Sequence, residues 1–253
     1  MPTTPTTPPD SAIAHGIGPA PSLVQEWRRL AQFLRFPVLP DDQGAKSPLT
    51  MIGRIFALDL IVMVALVAMA GIAVGLGVDL PETALAGFEF TPLLVFMVIV
   101  GAPVFEELAF RGWLSGKPGP LAATLIVATG LIATTQTDLL RSEAEVNLKA
   151  LTAAVVTIGA AITALVVLRG RPAPRWFERG FPLFYWLSAI AFALIHVANF
   201  GDAPLVMVLP LVLPQFVIGL LLGYLRVQIG LWAAIVLHMA HNASMLTLAS
   251  LTM

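Results

Sequence analysis

The chain has 253 residues, 58% of them apolar and 11% charged, with mean hydropathy +0.88 and a formal net charge of -1. Soluble domains carry roughly a quarter charged residues, so this composition excludes a water-soluble enzyme and a disordered chain and points to a polytopic membrane protein. Cysteine is absent, which removes disulfide scaffolds, thiolate metal sites and cysteine nucleophiles, and the small net charge gives no general attraction to nucleic acid.

In chain order, residues 1–22 form a Pro/Thr-rich tail (MPTTPTTPPD at its start) without the basic start and apolar core of a secretory signal. It has little apolar area to offset the entropy of ordering, so disorder is expected. Residues 23–46 open with an amphipathic pattern. Leu23, Trp27, Leu30 and Leu34 share one helical face, and Gln25, Arg28, Gln32 and Arg35 another. That suits a cytoplasmic helix in the headgroup region; it suits equally a solvated helix packed on the membrane part. Residues 47–253 read as one transmembrane domain.

A helical span needs about 20 mostly apolar residues. About seven runs qualify, at 52–77, 91–112, 119–137, 148–168, 183–200, 204–226 and 229–250, the third and fifth being short or interrupted. The expected fold is therefore all-α, a polytopic transmembrane helical bundle. Pro103, Pro210 and Pro214 fall inside these runs, where each removes a backbone donor and can kink the helix. With alternating spans, only Arg141 and Lys149 of the 14 basic residues lie opposite the N-terminal side. The positive-inside rule then predicts a cytoplasmic N-terminus.

Ionisable groups inside a bilayer cost roughly 2.5–3.5 kcal/mol each on insertion scales and usually face the protein interior. The second run carries Glu106, Glu107 and Arg111 (FEELAFRG), the fifth His196 (FALIHVANF), and the seventh His238, His241 and Asn242 (LHMAHNAS). Glu107 and Arg111 stand four apart and can pair on one face. Glu106 is turned about 100° from Glu107 and escapes that contact. An apolar cavity makes a carboxylate a better proton acceptor, so Glu106 is a candidate general base, with His196 orienting the same water. His238 and Asn242 share a face and are donors suited to a developing oxyanion. His241 could flank His238 or point to a neighbouring helix. Asp59, five residues after Arg54, reads as a local structural charge near the inner interface, paired or hydrated.

Those residues carry a resemblance. Glu106-Glu107-x-x-x-Arg111 resembles the EExxxR motif of the CPBP family, the CAAX proteases and bacteriocin-processing proteins also called Abi proteins, which are intramembrane glutamic endopeptidases. Phe192-x-x-x-His196 resembles that family's FxxxH motif, and His238-x-x-x-Asn242 its HxxxN motif. The three occur in order, each on an expected span, and the resemblance covers roughly 91–250. It implies that Glu106 and His196 activate water, that His238 and Asn242 form the oxyanion site, and that Glu107 and Arg111 hold the first glutamate in place. No metal or cofactor is implied. The implied partner, besides the bilayer, is a membrane-anchored peptide or protein substrate, CAAX-type or bacteriocin-related, entering from the cytoplasmic side of a bacterial inner membrane; no nucleic acid is implied.

Two features depart from the family pattern. The stretch from Arg111 to Phe192 is long and holds two additional spans. His241, beside the third motif, keeps open a zinc hydrolase using His196, His238 and a glutamate, since histidine and carboxylate suit zinc. The remaining alternatives are a non-catalytic bacteriocin-immunity or membrane scaffold protein and an ion-coupled transporter.

Overall fold

The computed structural model describes residues 22–40, 47–83, 89–136 and 146–252. Residues 1–21 of the Pro/Thr-rich tail, Lys46 and Arg141 lie outside the described residues. Every regular element among the described residues is helical.

Helix α1 (Leu23–Arg35) starts at a capping box, in which the Ser22 hydroxyl accepts from the Gln25 amide and the Gln25 side chain accepts from the Ser22 amide. The helix docks on the bundle. The Trp27 indole donates to the Arg54 carbonyl at 3.0 Å, and Phe33 meets the Tyr185 and Tyr224 rings at 5.1 and 5.2 Å. Its buried face is rotated from the one expected: Glu26, Leu30 and Phe33 are buried, whereas Leu23 is exposed. The reason is a long-range partner. The Tyr224 hydroxyl donates to Glu26 Oε1 at 3.0 Å and lets that carboxylate enter the contact.

Helix α2 (Pro48–Gly75) is the first span. The second, Pro92–Ser115, is assembled from α3 (Pro92–Phe96), a π-helical turn (Met97–Gly101), α4 (Ala102–Arg111) and a 3-10 turn (Gly112–Ser115). Helices α5 (Pro118–Gln136) and α6 (Val146–Val167) pack on each other as a hairpin and meet the rest of the bundle chiefly at that 3-10 turn. Helix α7 (Arg175–Ile195) runs into a second 3-10 turn (His196–Phe200), α8 (Leu205–Leu211) meets α9 (Leu213–Gln228) at a 42° bend, and α10 (Leu231–Thr252) closes the chain.

Five of these helices are long and apolar enough to cross a membrane, or six where the bent α8–α9 pair is counted as one span. The run at 119–137 is helical, but its apolar part, Pro118–Thr134, falls short of that length. The fifth span begins at Arg175 rather than 183, so Arg175 and Arg179 are helical and not in a loop. Pro182 is accommodated within the helix. In a membrane, neighbours can absorb such a lost bond.

The centre of the bundle is the crossing of α7 and α9. It depends on Gly219 and Gly223, one turn apart on α9, a small-xxx-small pattern that lets backbones approach. A Cβ at Gly223 would stand 2.8 Å from the Tyr185 ring, and one at Gly219 would stand 3.2 Å from Arg111 Nη2 and 3.3 Å from Phe192. The Tyr185 hydroxyl uses that proximity to donate to the Leu220 carbonyl at 2.6 Å. Tyr185 is also fixed by contacts with Phe33 and Phe181 and cannot swing clear. Gly223→Ala is therefore expected to destabilise the protein by about 1–3 kcal/mol, read as a lowered unfolding midpoint in detergent.

Candidate active site

The second span is shaped by a proline. In the π turn, the Ala102 amide bonds to the Met97 carbonyl, five residues back. The same register would bring the next amide to the Val98 carbonyl, but residue 103 is proline and has none. The Val98 carbonyl is taken instead by Asn242 of α10, whose Nδ2 donates to it at 2.8 Å.

One turn further on, Arg111 Nη1 donates to Glu107 Oε1 at 2.8 Å, and both side chains are completely buried. Arg111 also reaches the Gly219 carbonyl at 3.4 Å and lies 3.9 Å from the centre of the Phe192 ring, a cation–π contact. The backbone around it is held as well: Arg226 donates to the Arg111 and Gly112 carbonyls at 2.8 and 3.1 Å, and Ser188 donates to the Phe110 carbonyl at 2.7 Å. Glu107 Oε1 has a second partner in His238 Nδ1 at 3.0 Å. Its sequence neighbour is treated differently. Glu106 Oε2 lies 3.6 Å from His238 Nε2, and its side chain keeps 29% exposure against 0% for Glu107.

His196 begins the 3-10 turn that ends the fifth span. Its Nδ1 lies 2.7 Å from the Phe192 carbonyl, which can only accept, so Nδ1 carries the proton. Nε2 of the neutral ring is then an acceptor. Phe192 lies against both histidines: its ring centre is 4.8 Å from that of His196 and 5.6 Å from that of His238.

A cavity of about 610 Å³ joins these groups. Glu106, His196, His238 and Asn242 all line it, together with His241 and Gln215. Glu107 and Arg111 sit behind its wall. His238 and Asn242 do not present bare donors to it, since His238 Nδ1 is on Glu107 and one Asn242 N–H is on Val98. Each retains one further donor position, Nε2 of the ring and the second amide hydrogen.

Three placements were not legible beforehand. Asp59 is paired rather than hydrated, and with a distant partner: it is fully buried, and its Oδ2 accepts from His241 Nδ1 at 2.8 Å. His241 accordingly points to α2 and does not flank His238. Gln215, near the start of α9, carries a buried Oε1 without a partner; a neutral amide in an apolar run (VLPQF) escapes a search for ionisable groups, although the same desolvation argument applies to it. Among the described residues, no group of three His, Asp or Glu side chains is placed to hold a metal ion. Arg111→Met would leave Glu107 as a buried charge supported by His238 alone, and is expected to cost about 3–5 kcal/mol, measurable by chemical unfolding of the purified protein in detergent.

Residues 88–244 match the model of the Rce1-like family, described as type II CAAX prenyl endopeptidase Rce1-like. No curated protein and no solved structure matches the chain. The matched stretch begins after α2, contains all three sequence motifs and runs through the α5–α6 hairpin. With its apolar helices and this match across most of its length, the chain is an integral membrane protein that belongs to the Rce1-like type II CAAX prenyl endopeptidase family.

Proposed function

We propose that the chain is a metal-independent intramembrane glutamic endopeptidase that cleaves a membrane-associated, CAAX-type peptide with water activated by Glu106 and His196. The observation that carries this reading is the convergence of Glu106, His196, His238 and Asn242, from three separate spans, on one cavity. Glu106 is the more accessible of the two glutamates, and the neutral His196 ring offers Nε2 as an acceptor. A water donating to both has its lone pair turned to a substrate carbonyl.

The water oxygen adds to the carbonyl carbon, its proton passes to Glu106, and the carbonyl electrons move onto oxygen. The second amide hydrogen of Asn242 and Nε2–H of His238 then serve the oxyanion. With Nδ1 donating to Glu107, His238 can donate from Nε2 only when its ring holds both protons. Collapse breaks the C–N bond, its electron pair goes to nitrogen with a proton, and the proton that Glu106 took from water balances the step, giving a carboxylic acid and an amine. Glu107 and Arg111 are positioning residues, since they lie behind the wall and touch the chemistry through His238 and the helix backbone.

The same reading places the protein in a bacterial inner membrane with its N-terminus in the cytoplasm, supported by the basic residues at Arg28, Arg29, Arg35 and Arg54 and at Arg169–Arg179. In a cleavage assay on a farnesylated CAAX peptide in liposomes, Glu106→Gln is expected to lower turnover by about 10²–10⁴-fold with an unchanged unfolding midpoint, and chelators to leave the wild type unaffected. Full activity in the Gln variant, or loss of activity on chelation, overturns the mechanism.

A further inference from the structure

A second carboxylate–histidine pair borders the same cavity. Asp59 comes from α2, which lies outside the family match. Its side chain is fully buried, Oδ2 accepts from His241, and Oδ1 has no partner. Burying a carboxylate costs several kcal/mol even after relaxation, and helix association in membranes is served by small or neutral polar residues. An ionisable pair buried between apolar helices therefore calls for a reason beyond holding α2 to α10.

The geometry supplies one. His238 and His241 lie one turn apart on α10, and each places Nδ1 on a carboxylate from a different helix, Glu107 at 3.0 Å and Asp59 at 2.8 Å. With Nδ1 engaged, Nε2 is the remaining nitrogen of His241, a ring that lines the cavity. The two histidines differ in their neighbours. His238 lies beside Glu106, the water-activating carboxylate of the proposed reaction, whereas the charged group in contact with His241 is Asp59. Of the other elements packed on α10, α4 brings Glu106, Glu107 and Arg111, engaged around His238; the π turn carries no charge; and α9 carries Arg226, turned to the Arg111 and Gly112 carbonyls.

Amide hydrolysis also needs a proton at the leaving nitrogen; Glu106 holds one taken from water, but the roles above name no group that hands it over. An amine leaves from the tetrahedral intermediate only as its nitrogen gains a proton. We propose that His241, oriented by Asp59, is a second catalytic histidine that delivers this proton to the leaving nitrogen. The step starts from a His241 ring holding both protons, Nδ1–H on Asp59 and Nε2–H free; as the C–N bond breaks, its electron pair goes to nitrogen and takes the Nε2 proton, leaving the neutral Nδ1–H ring, and the proton that Glu106 took from water then returns to Nε2 through cavity water. One water is consumed and no other reactant is needed. This inference rests on the peptidase reading, with Asp59 as a positioning residue.

The leaving group separates this role from a structural one. An alkoxide leaves without prior protonation far more readily than an amine, so an ester at the scissile position bypasses the donor. The full chain in liposomes would be assayed on a farnesylated CAAX peptide and on the same peptide with an ester replacing the scissile amide. The wild type is expected to cleave both. His241→Gln is expected to lose about 10²-fold or more on the amide and less than about threefold on the ester. Asp59→Asn, which keeps the shape of the pair, is expected to show the same selectivity with a loss of about tenfold on the amide. Equal losses on both substrates, or none on either, overturn the inference. Glu106→Gln is expected to lose both reactions; if it is inactive while His241→Gln and Asp59→Asn show no selectivity, the peptidase reading stands and this inference alone falls. If Glu106→Gln retains amide cleavage, the peptidase reading itself falls.

Discussion

A guanidinium and a carboxylate 2.8 Å apart, neither reached by solvent, fix the rest of this bundle. Such a pair is tolerable in a low-dielectric interior only when its surroundings complete it. Arg111 draws on the Gly219 carbonyl and the face of Phe192, and Glu107 lends the same oxygen to His238. The pair thus ties α4 to α7, α9 and α10 at one point. Neither Gly219 of α9 nor Phe192, one turn before the 3-10 end of α7, can be changed without disturbing it.

Because that pair absorbs Glu107, two chemically identical neighbours become different groups. Glu107 is a fixed part of the wall, while Glu106 is left at the cavity with partial exposure. Separation of two carboxylates by environment is a general way to obtain one structural and one reactive acid from the same side chain. In a family of membrane endopeptidases, a partly exposed carboxylate among histidines and an amide, enclosed by apolar helices, fits the proposed delivery of water to a peptide bond inside a medium that otherwise excludes it.

The sequence discloses the parts of this structure that depend on local rules. A bilayer demands about 20 apolar residues per helix, so the helical bundle is legible directly, and the i,i+4 rule exposes Glu107–Arg111. Errors arise where distant partners decide. Glu26 enters the buried face of α1 because Tyr224, 198 positions later, meets it. Asp59 pairs with His241 across 182 positions. Helix α7 starts at Arg175, ahead of the apolar run at 183, and carries Pro182 inside it. The glycines of α9 carry a recognisable spacing that a search confined to charged groups passes over. Of the cavity, the motif residues stand out as charges in apolar runs, whereas Gln215 does not.

The π turn at Met97–Gly101 has a consequence for stereochemistry. A single extra residue in a helical turn advances everything downstream by about 100° around the axis, close to the angle between adjacent side chains. Without that insertion, the direction now taken by one glutamate of the adjacent pair would belong to its neighbour. The wide turn therefore acts as a phase setting for the second span, deciding which acid faces the cavity and which faces arginine, and a proline two residues beyond it offers the Val98 carbonyl no amide in the wide register, leaving that oxygen to Asn242.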